Sequence, residues 1–170
     1  MSRTLVEESN MRFIVDTDNL FRVEKVKPAK NMNGVKVAEF AELHSDHLIN
    51  IVEAKSSSPH PGCSMSFETY IGDIVSKLEN TLLLLNSLYL NRFPSTDMAD
   101  FPHALRHSDL SKTMSYRFFL VVRGHKKEWL MPLQNALVSR MSRLLQIWNI
   151  RSSSVKVVND MMAHDMGLIE

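Results

Sequence analysis

At 170 residues, 44% of them hydrophobic and 23% charged, the chain is long enough to bury a core without staples and reads as one domain, residues 1–170. Its one cysteine, Cys63, excludes an internal disulfide and a cysteine-based zinc site, and points to a reducing compartment. No run reaches the ~18 to 20 apolar residues of a membrane span, and the opening MSRTLVEESN lacks the apolar core of a signal peptide, so a cytoplasmic protein with no membrane association is expected.

The net charge of +1 hides an asymmetry. Residues 1–102 carry ten Lys/Arg against fourteen Asp/Glu, whereas residues 103–156 carry ten Lys/Arg against only Asp109 and Glu128. An acidic half beside a basic half suits a metal site next to a phosphate-binding surface. Ordinary solvated helix and loop charge is the alternative.

In chain order, a short helix around residues 5–8 precedes two strands, MRFIVD (11–16) and LFRVEKV (20–26), joined as a hairpin by Thr17-Asp18-Asn19. Pro28 and the run Lys30-Asn31-Met32-Asn33-Gly34 then interrupt regular structure. Residues 35–43 and 48–55 are the clearest strands, apolar on both faces and therefore suited to the middle of a covered sheet. A loop over 56–66, broken by Pro59, Pro61 and Gly62, leads into a long helix over 67–91 with Ser66 as its cap. Residues 93–115 read as a long connection. His103 and His107 there have a metal-ligand spacing on a helix, but no third ligand lies near them in the sequence. YRFFLVV (116–122) is a buried strand closed by Arg123-Gly124, 127–148 a second long amphipathic helix with Pro132 within its first turn or two, 155–158 a last strand and 161–169 a short helix or tail. The order predicts an α/β fold, a mixed central sheet with an antiparallel β-hairpin core flanked by long helices. The eleven methionines are expected to fill core gaps or to serve an adaptable interface.

The stretch 35–59, VKVAEFAELHSDHLINIVEAKSSSP, carries the candidate chemistry. Glu53 and Lys55 are two apart, so on a strand they share a face. A three-residue loop, Ser45-Asp46-His47, places Glu39 directly opposite Glu53 on that face, whereas a two-residue turn without a compensating bulge sends Glu39 to the other face. Two carboxylates opposed on a sheet repel, and a buried pair needs a proton or a cation. Mg²⁺ (or Mn²⁺) is held by one or two carboxylates and activates water for attack on phosphorus. Lys55 is placed to assist that water or to neutralise the developing charge. A plain salt bridge between Lys55 and one glutamate is the competing interpretation.

An acidic residue on one strand, a turn, and a strand ending E-A-K-S-S before a long helix resemble the PD-(D/E)xK nuclease superfamily, over roughly residues 21–89. The resemblance implies the restriction-endonuclease-like αβββαβ fold, Glu39 and Glu53 as metal ligands and Lys55 as the catalytic lysine. It also implies an upstream glutamate, for which Glu24 is the candidate and Glu7 or Glu8 the fallback. Glu39 stands where that family usually has aspartate, and Ala38 replaces the usual proline. The implied activity is hydrolysis of phosphodiester bonds, of DNA. The basic segment would hold the nucleic-acid backbone through Arg117, Arg123, Lys126, Lys127, Arg140 and Arg143, and a short chain without a recognisable DNA-recognition module is expected to act as a homodimer or as a subunit of a larger complex. Two other readings compete: a catalytically degenerate nuclease fold serving as a scaffold or nucleic-acid-binding subunit, and an unrelated α/β binding protein with a structural Glu53–Lys55 pair.

Overall fold

The computed structural model describes residues 3–94, 97, 101–106 and 113–170. In chain order these form strands β1 (Arg3–Glu8), β2 (Met11–Asp16) and β3 (Leu20–Phe21), helix α1 (Lys27–Asn31), strands β4 (Phe40–Ser45) and β5 (Leu48–Lys55), and helix α2 (Ser64–Tyr89). After the one-turn helix α3 (His103–Arg106) come β6 (Ser115–Val122), α4 (Lys127–Ile147), β7 (Val155–Asn159) and α5 (Asp160–Asp165). Strands β3-β4-β5-β6-β7 make a five-stranded mixed sheet, and β1-β2 a separate antiparallel pair. The class is mixed α/β.

The two faces of the larger sheet have different covers, which the two-faced apolar pattern of β5 requires. Ala41, Leu43, Ile49, Ile51, Phe118 and Leu120 pack beneath the long helices, against Ile74 and Leu78 of α2 and Leu133, Leu137 and Met141 of α4. Phe40, Val52, Ala54, Phe119 and Val121 face the other way, against Val6, Met11, Phe13 and Val15 of the β1-β2 hairpin and Ala163 of α5. Antiparallel β4-β5 is followed by parallel β5-β6 and β6-β7 ladders, with α2 and α4 as the crossovers. Parallel neighbours need such long connections, whereas β4 and β5 need only a turn.

Several expectations give way here. The segment 11–16 pairs with β1 and not with 20–26: a two-residue turn at Ser9-Asn10, both with positive φ (51° and 59°), closes the hairpin, and 5–8 is strand where a helix was expected. Two successive left-handed residues match the right-handed twist of the flanking strands, which favours this pairing. Only Leu20–Phe21 of the expected second strand is strand, pairing with β4, and Val23–Lys25 turns as a 3₁₀ helix. The strand expected from residue 35 starts at Phe40, because the Ala38 N–H is taken by the Thr81 hydroxyl of α2 at 2.8 Å instead of a ladder partner. Helix α2 starts at Ser64 with Cys63 in the cap position, and Ser66 lies inside it, its hydroxyl donating to the Cys63 carbonyl. Helix α4, by contrast, starts at Lys127 as expected, with Pro132 in its second turn. His107 lies outside the described residues.

Candidate active site

The site is set by how β4 meets β5. Phe40, Ala41, Glu42 and Leu43 pair with Val52, Ile51, Asn50 and Ile49; Glu39 immediately precedes β4, and continuing that register would set it opposite Glu53. The connection reaches this register by an unexpected route. Ser45 pairs with Leu48 around the two-residue turn Asp46-His47, and the ladder shifts between Leu43 and Ser45. A bulge at His44 supplies the extra residue. The tight turn alone would have carried Glu39 to the opposite face, and the bulge brings it back.

Glu39, Glu53 and Lys55 therefore share the face that carries Ala41, Leu43, Ile49 and Ile51, beneath α2. Glu53 is fully buried. One of its oxygens, Oε1, accepts hydrogen bonds from the Lys77 ammonium of α2 at 2.7 Å and from the Lys55 ammonium at 2.9 Å. The Lys77 Nζ also lies 3.7 Å from Oε1 of Glu39. The second Glu53 oxygen, Oε2, is buried and has no hydrogen-bond partner among the described residues. The nearby Tyr70 hydroxyl on α2 is in the same condition.

Burial pushes the Glu53 carboxyl above the usual range, against the opposing pull of Lys77 and Lys55. Burial raises Glu39 too, opposed by Lys77 and reinforced by the negative charges of Glu8 and Glu24. For Lys77, burial works to lower the pKa, but the Glu53 hydrogen bond and the charges of Glu53 and Glu39 outweigh it and hold the ammonium above its ordinary value. Both shifts are upward: the one on Glu53 favours a neutral acid, the one on Lys77 a charged ammonium. The ionised pair is the better description, because two ammonium groups address a single carboxylate oxygen at charge-assisted distances.

The upstream carboxylates are engaged elsewhere. The Arg22 guanidinium takes Glu8 at 2.6 Å and Glu24 at 2.8 Å, so both act on Glu39 through their charge. Glu7 is exposed on β1. Among the described residues, no group of three His, Cys, Asp or Glu is placed to hold a metal. The donor set is two carboxylates, Glu39 and Glu53, with an orphaned buried oxygen on Glu53. That set fits a hard divalent cation, which needs only one or two carboxylates and keeps several waters.

Beside Lys55 a cavity of about 1160 Å³ opens between the loop after β5 and the first turns of α2, with Ser58, Pro59, Met65, Tyr70 and Asp73 in its lining. The Asp73 carboxylate is ion-paired with Lys36, which keeps its pKa below the ordinary value. The far wall of the loop is pinned to the ends of β6 and β7. Ser58 Oγ lies 3.2 Å from Nδ1 of the buried His125, Asn159 donates to the His125 carbonyl at 3.0 Å, and the Gly124 N–H donates to Asp160 at 2.8 Å. Gly124 has φ +62°, a conformation that glycine adopts without cost. Trp129 packs edge-on against both His125 and His60, and the Lys126 ammonium sits 4.8 Å from its ring centre.

The six basic residues proposed to contact nucleic acid fall into three groups. Arg123, Lys126 and Lys127 are exposed at the end of the sheet where β5 and β6 stop, and the Arg123 N–H donates to the Lys55 carbonyl at 2.9 Å. Arg140 and Arg143 are exposed about 20 Å further along α4, at ~1.5 Å per residue. Arg117 pairs with Asn50 in the middle of the sheet, on the hairpin side, where its charge acts on Glu42. The first group adjoins Lys55, and Arg117 lies across the sheet from it.

Sequence reasoning missed Lys77, Tyr70 and the Ser58–His125 contact. A signal for Lys77 existed: it stands between Ile74, Leu78 and Thr81, all buried, so a charge sits in the apolar stripe of α2. A lysine there needs an acidic partner across the interface. No protein-family model matches the chain, and neither a curated protein nor a solved structure matches it significantly.

Proposed function

We propose that the chain is a metal-dependent nuclease of the PD-(D/E)xK type, hydrolysing phosphodiester bonds of DNA. The observation that carries this reading is that Glu39 and Glu53 both reach the one Lys77 ammonium while Lys55, on the Glu53 face of β5, lies beside a cavity. The succession β3-β4-β5-α2-β6, an antiparallel meander, a crossover helix and a parallel strand, supports the restriction-endonuclease-like assignment. Among the described residues the leading helix of that αβββαβ core has no counterpart, and the β1-β2 hairpin precedes the meander.

Glu39 and Glu53 would hold Mg²⁺ or Mn²⁺, which supplies Lewis acidity and a water of lowered pKa. Lys55 orients the attacking water or neutralises charge on the phosphate in the transition state. Arg123, Lys126 and Lys127 fix the nucleic-acid backbone beside the cavity, contacts that position without reading sequence. Among the described residues no helix is long and apolar enough to cross a membrane, and the exposed lone Cys63 suits a reducing, cytoplasmic setting. Exposed large apolar side chains, among them Met65, Met131, Ile147 and Met161, would serve a homodimer or a larger complex.

A second reading is favoured by one observation, the Lys77 ammonium between the two carboxylates. A nuclease fold whose metal position is permanently filled by lysine would serve as a scaffold or nucleic-acid-binding subunit. The deciding experiment incubates the protein with single- and double-stranded DNA and with RNA in Mn²⁺ or Mg²⁺, alongside Lys55→Ala. Metal-dependent cleavage that drops about 100-fold or more in the variant supports the enzyme, on the scale of lost electrostatic stabilisation. Cleavage that persists in Lys55→Ala sinks this assignment of the site.

A further inference from the structure

Lys77 has two acidic neighbourhoods, one on each side of its flexible stem. Inward, its ammonium touches Glu53 at 2.7 Å and approaches Glu39 at 3.7 Å. Outward, Asp73 lies four residues earlier on α2 at the cavity wall, ion-paired with Lys36 and also under the influence of the Lys77 charge. An acid placed four residues before a lysine is the favourable order for a helical ion pair. The Lys77 side chain is 17% exposed, so a path from the inner position to solvent exists.

Two neighbouring carboxylates, one of them fully buried, need a proton or a cation between them, and here a cation is at hand. With Glu39, Glu53, Lys55 and Lys77 all ionised the cluster is neutral, so a divalent ion added to it would meet two ammonium groups at contact distance. Among the described residues Lys55 is ion-paired with Glu53, whereas Lys77 comes within 3.7 Å of both carboxylates. We propose that Lys77 is the resident counter-cation of the Glu39–Glu53 pair, and that a divalent ion enters by displacing its ammonium toward Asp73. Lys77 thereby sets how tightly, and in what state, the site takes metal. This rests on the metal-dependent reading of the site, but it is tested without cleavage.

The test is Mn²⁺ affinity, followed by calorimetry and by the enhancement of water proton relaxation, for wild type, Lys77→Gln and Lys30→Gln. Glutamine keeps a donor for Glu53 while removing the charge, and Lys30→Gln removes the same charge from an exposed helix position. Lys77→Gln should bind Mn²⁺ about tenfold more tightly or better, because a unit charge at contact distance is worth at least that factor. Lys30→Gln should match wild type.

A second measurement needs no variant. In ¹⁵N-lysine-labelled wild type, the ammonium signal of Lys77, slowed in exchange by its burial, should move and lose protection as Mg²⁺ saturates the site. Equal Mn²⁺ affinity in wild type and Lys77→Gln overturns the proposal, as does a Lys77 signal unchanged by Mg²⁺ up to tens of millimolar. Equal affinity together with metal-dependent cleavage would leave the nuclease reading standing. Tighter binding in Lys77→Gln with no cleavage by any form would uphold the displacement and remove the nuclease.

Discussion

Lys77 of α2 and Glu53 of β5 meet at 2.7 Å, across the interface between the long helix and the sheet, with Glu53 fully removed from solvent. Removing one partner of such a pair strands the other. Lys77→Ala should cost about 3 kcal/mol, the low end for breaking a buried pair, since the lysine keeps some contact with water and Lys55 still reaches Glu53. The double variant Lys77→Ala/Glu53→Gln should cost less than the sum of the singles, because no charge is then left buried alone. Urea unfolding of the four proteins checks this, and strict additivity would deny the coupling.

The bulge at His44 makes a sharper prediction. Deleting His44 leaves the Asp46-His47 turn intact and slips β4 by one residue against β5. Either Glu39 leaves the site face or β4 gives up pairing, and Ala41 and Leu43 lose their places beneath α2. The expected result is a loss of several kcal/mol, as for other buried packing defects, and loss of any metal-induced rise in Tm. A deletion variant that kept wild-type stability and metal response would mean that register does not build the site.

Burial lowers the pKa of His125. On acidification the unfolded chain takes its proton first, near pH 6.5, while the folded state keeps the imidazole neutral to lower pH. The unfolded state therefore binds more protons in that interval, and the His125 contribution to stability is present above about pH 6.5 and lost as pH falls. The raised carboxyls of Glu39, Glu42 and Glu53 act with the opposite sign above their ordinary value of 4.5, so wild type alone cannot isolate the effect. The difference between wild type and His125→Gln in urea midpoint, measured at pH 7.5 and 5.5, does. It should shrink at the lower pH, and a constant difference contradicts the assignment.

The β1-β2 hairpin is a lid on one face of the sheet, and Phe13 is its anchor. Its ring meets Phe40 edge-on, with centroids 5.3 Å apart, and both are buried. Phe13→Ala should destabilise by about 3–5 kcal/mol, the range for deleting a buried aromatic. A loss under 1 kcal/mol, read by urea denaturation, would show that the hairpin contributes little to the fold.

Under the nuclease reading, charge changes separate the group beside Lys55 from Arg117. Arg123→Glu with Lys127→Glu should weaken binding to single- and double-stranded DNA alike and flatten its salt dependence, because each backbone contact contributes to the slope. Arg117→Gln should leave both unchanged, since Arg117 lies across the sheet. Fluorescence anisotropy over a salt series, without metal, measures this. Equal effects of the two changes would place the nucleic acid elsewhere.

Local pattern was enough for β5, α2, β6, α4 and β7, because runs such as LINIVEAK and YRFFLVV, and helices with apolar side chains at every third or fourth position, carry their partners' requirements in their own periodicity. It also placed Glu53 and Lys55 on one face, since strand geometry admits no other result. The partner of β2 was another matter. Its alternation is satisfied by any strand, and only the left-handed pair Ser9-Asn10 and the burial of Phe13 against Phe40 chose β1. The relation of Glu39 to Glu53 depends on one residue of register, which the tight turn alone sets wrongly and the His44 bulge sets back. The role of Lys77, 24 residues from Glu53 in the chain, comes from packing α2 on β5, where a buried carboxylate must find a cation within reach. Sequence determined which side chains face together within an element. Tertiary structure decided which faces meet, because register and helix docking are settled by summed burial across the whole sheet and not by any one segment.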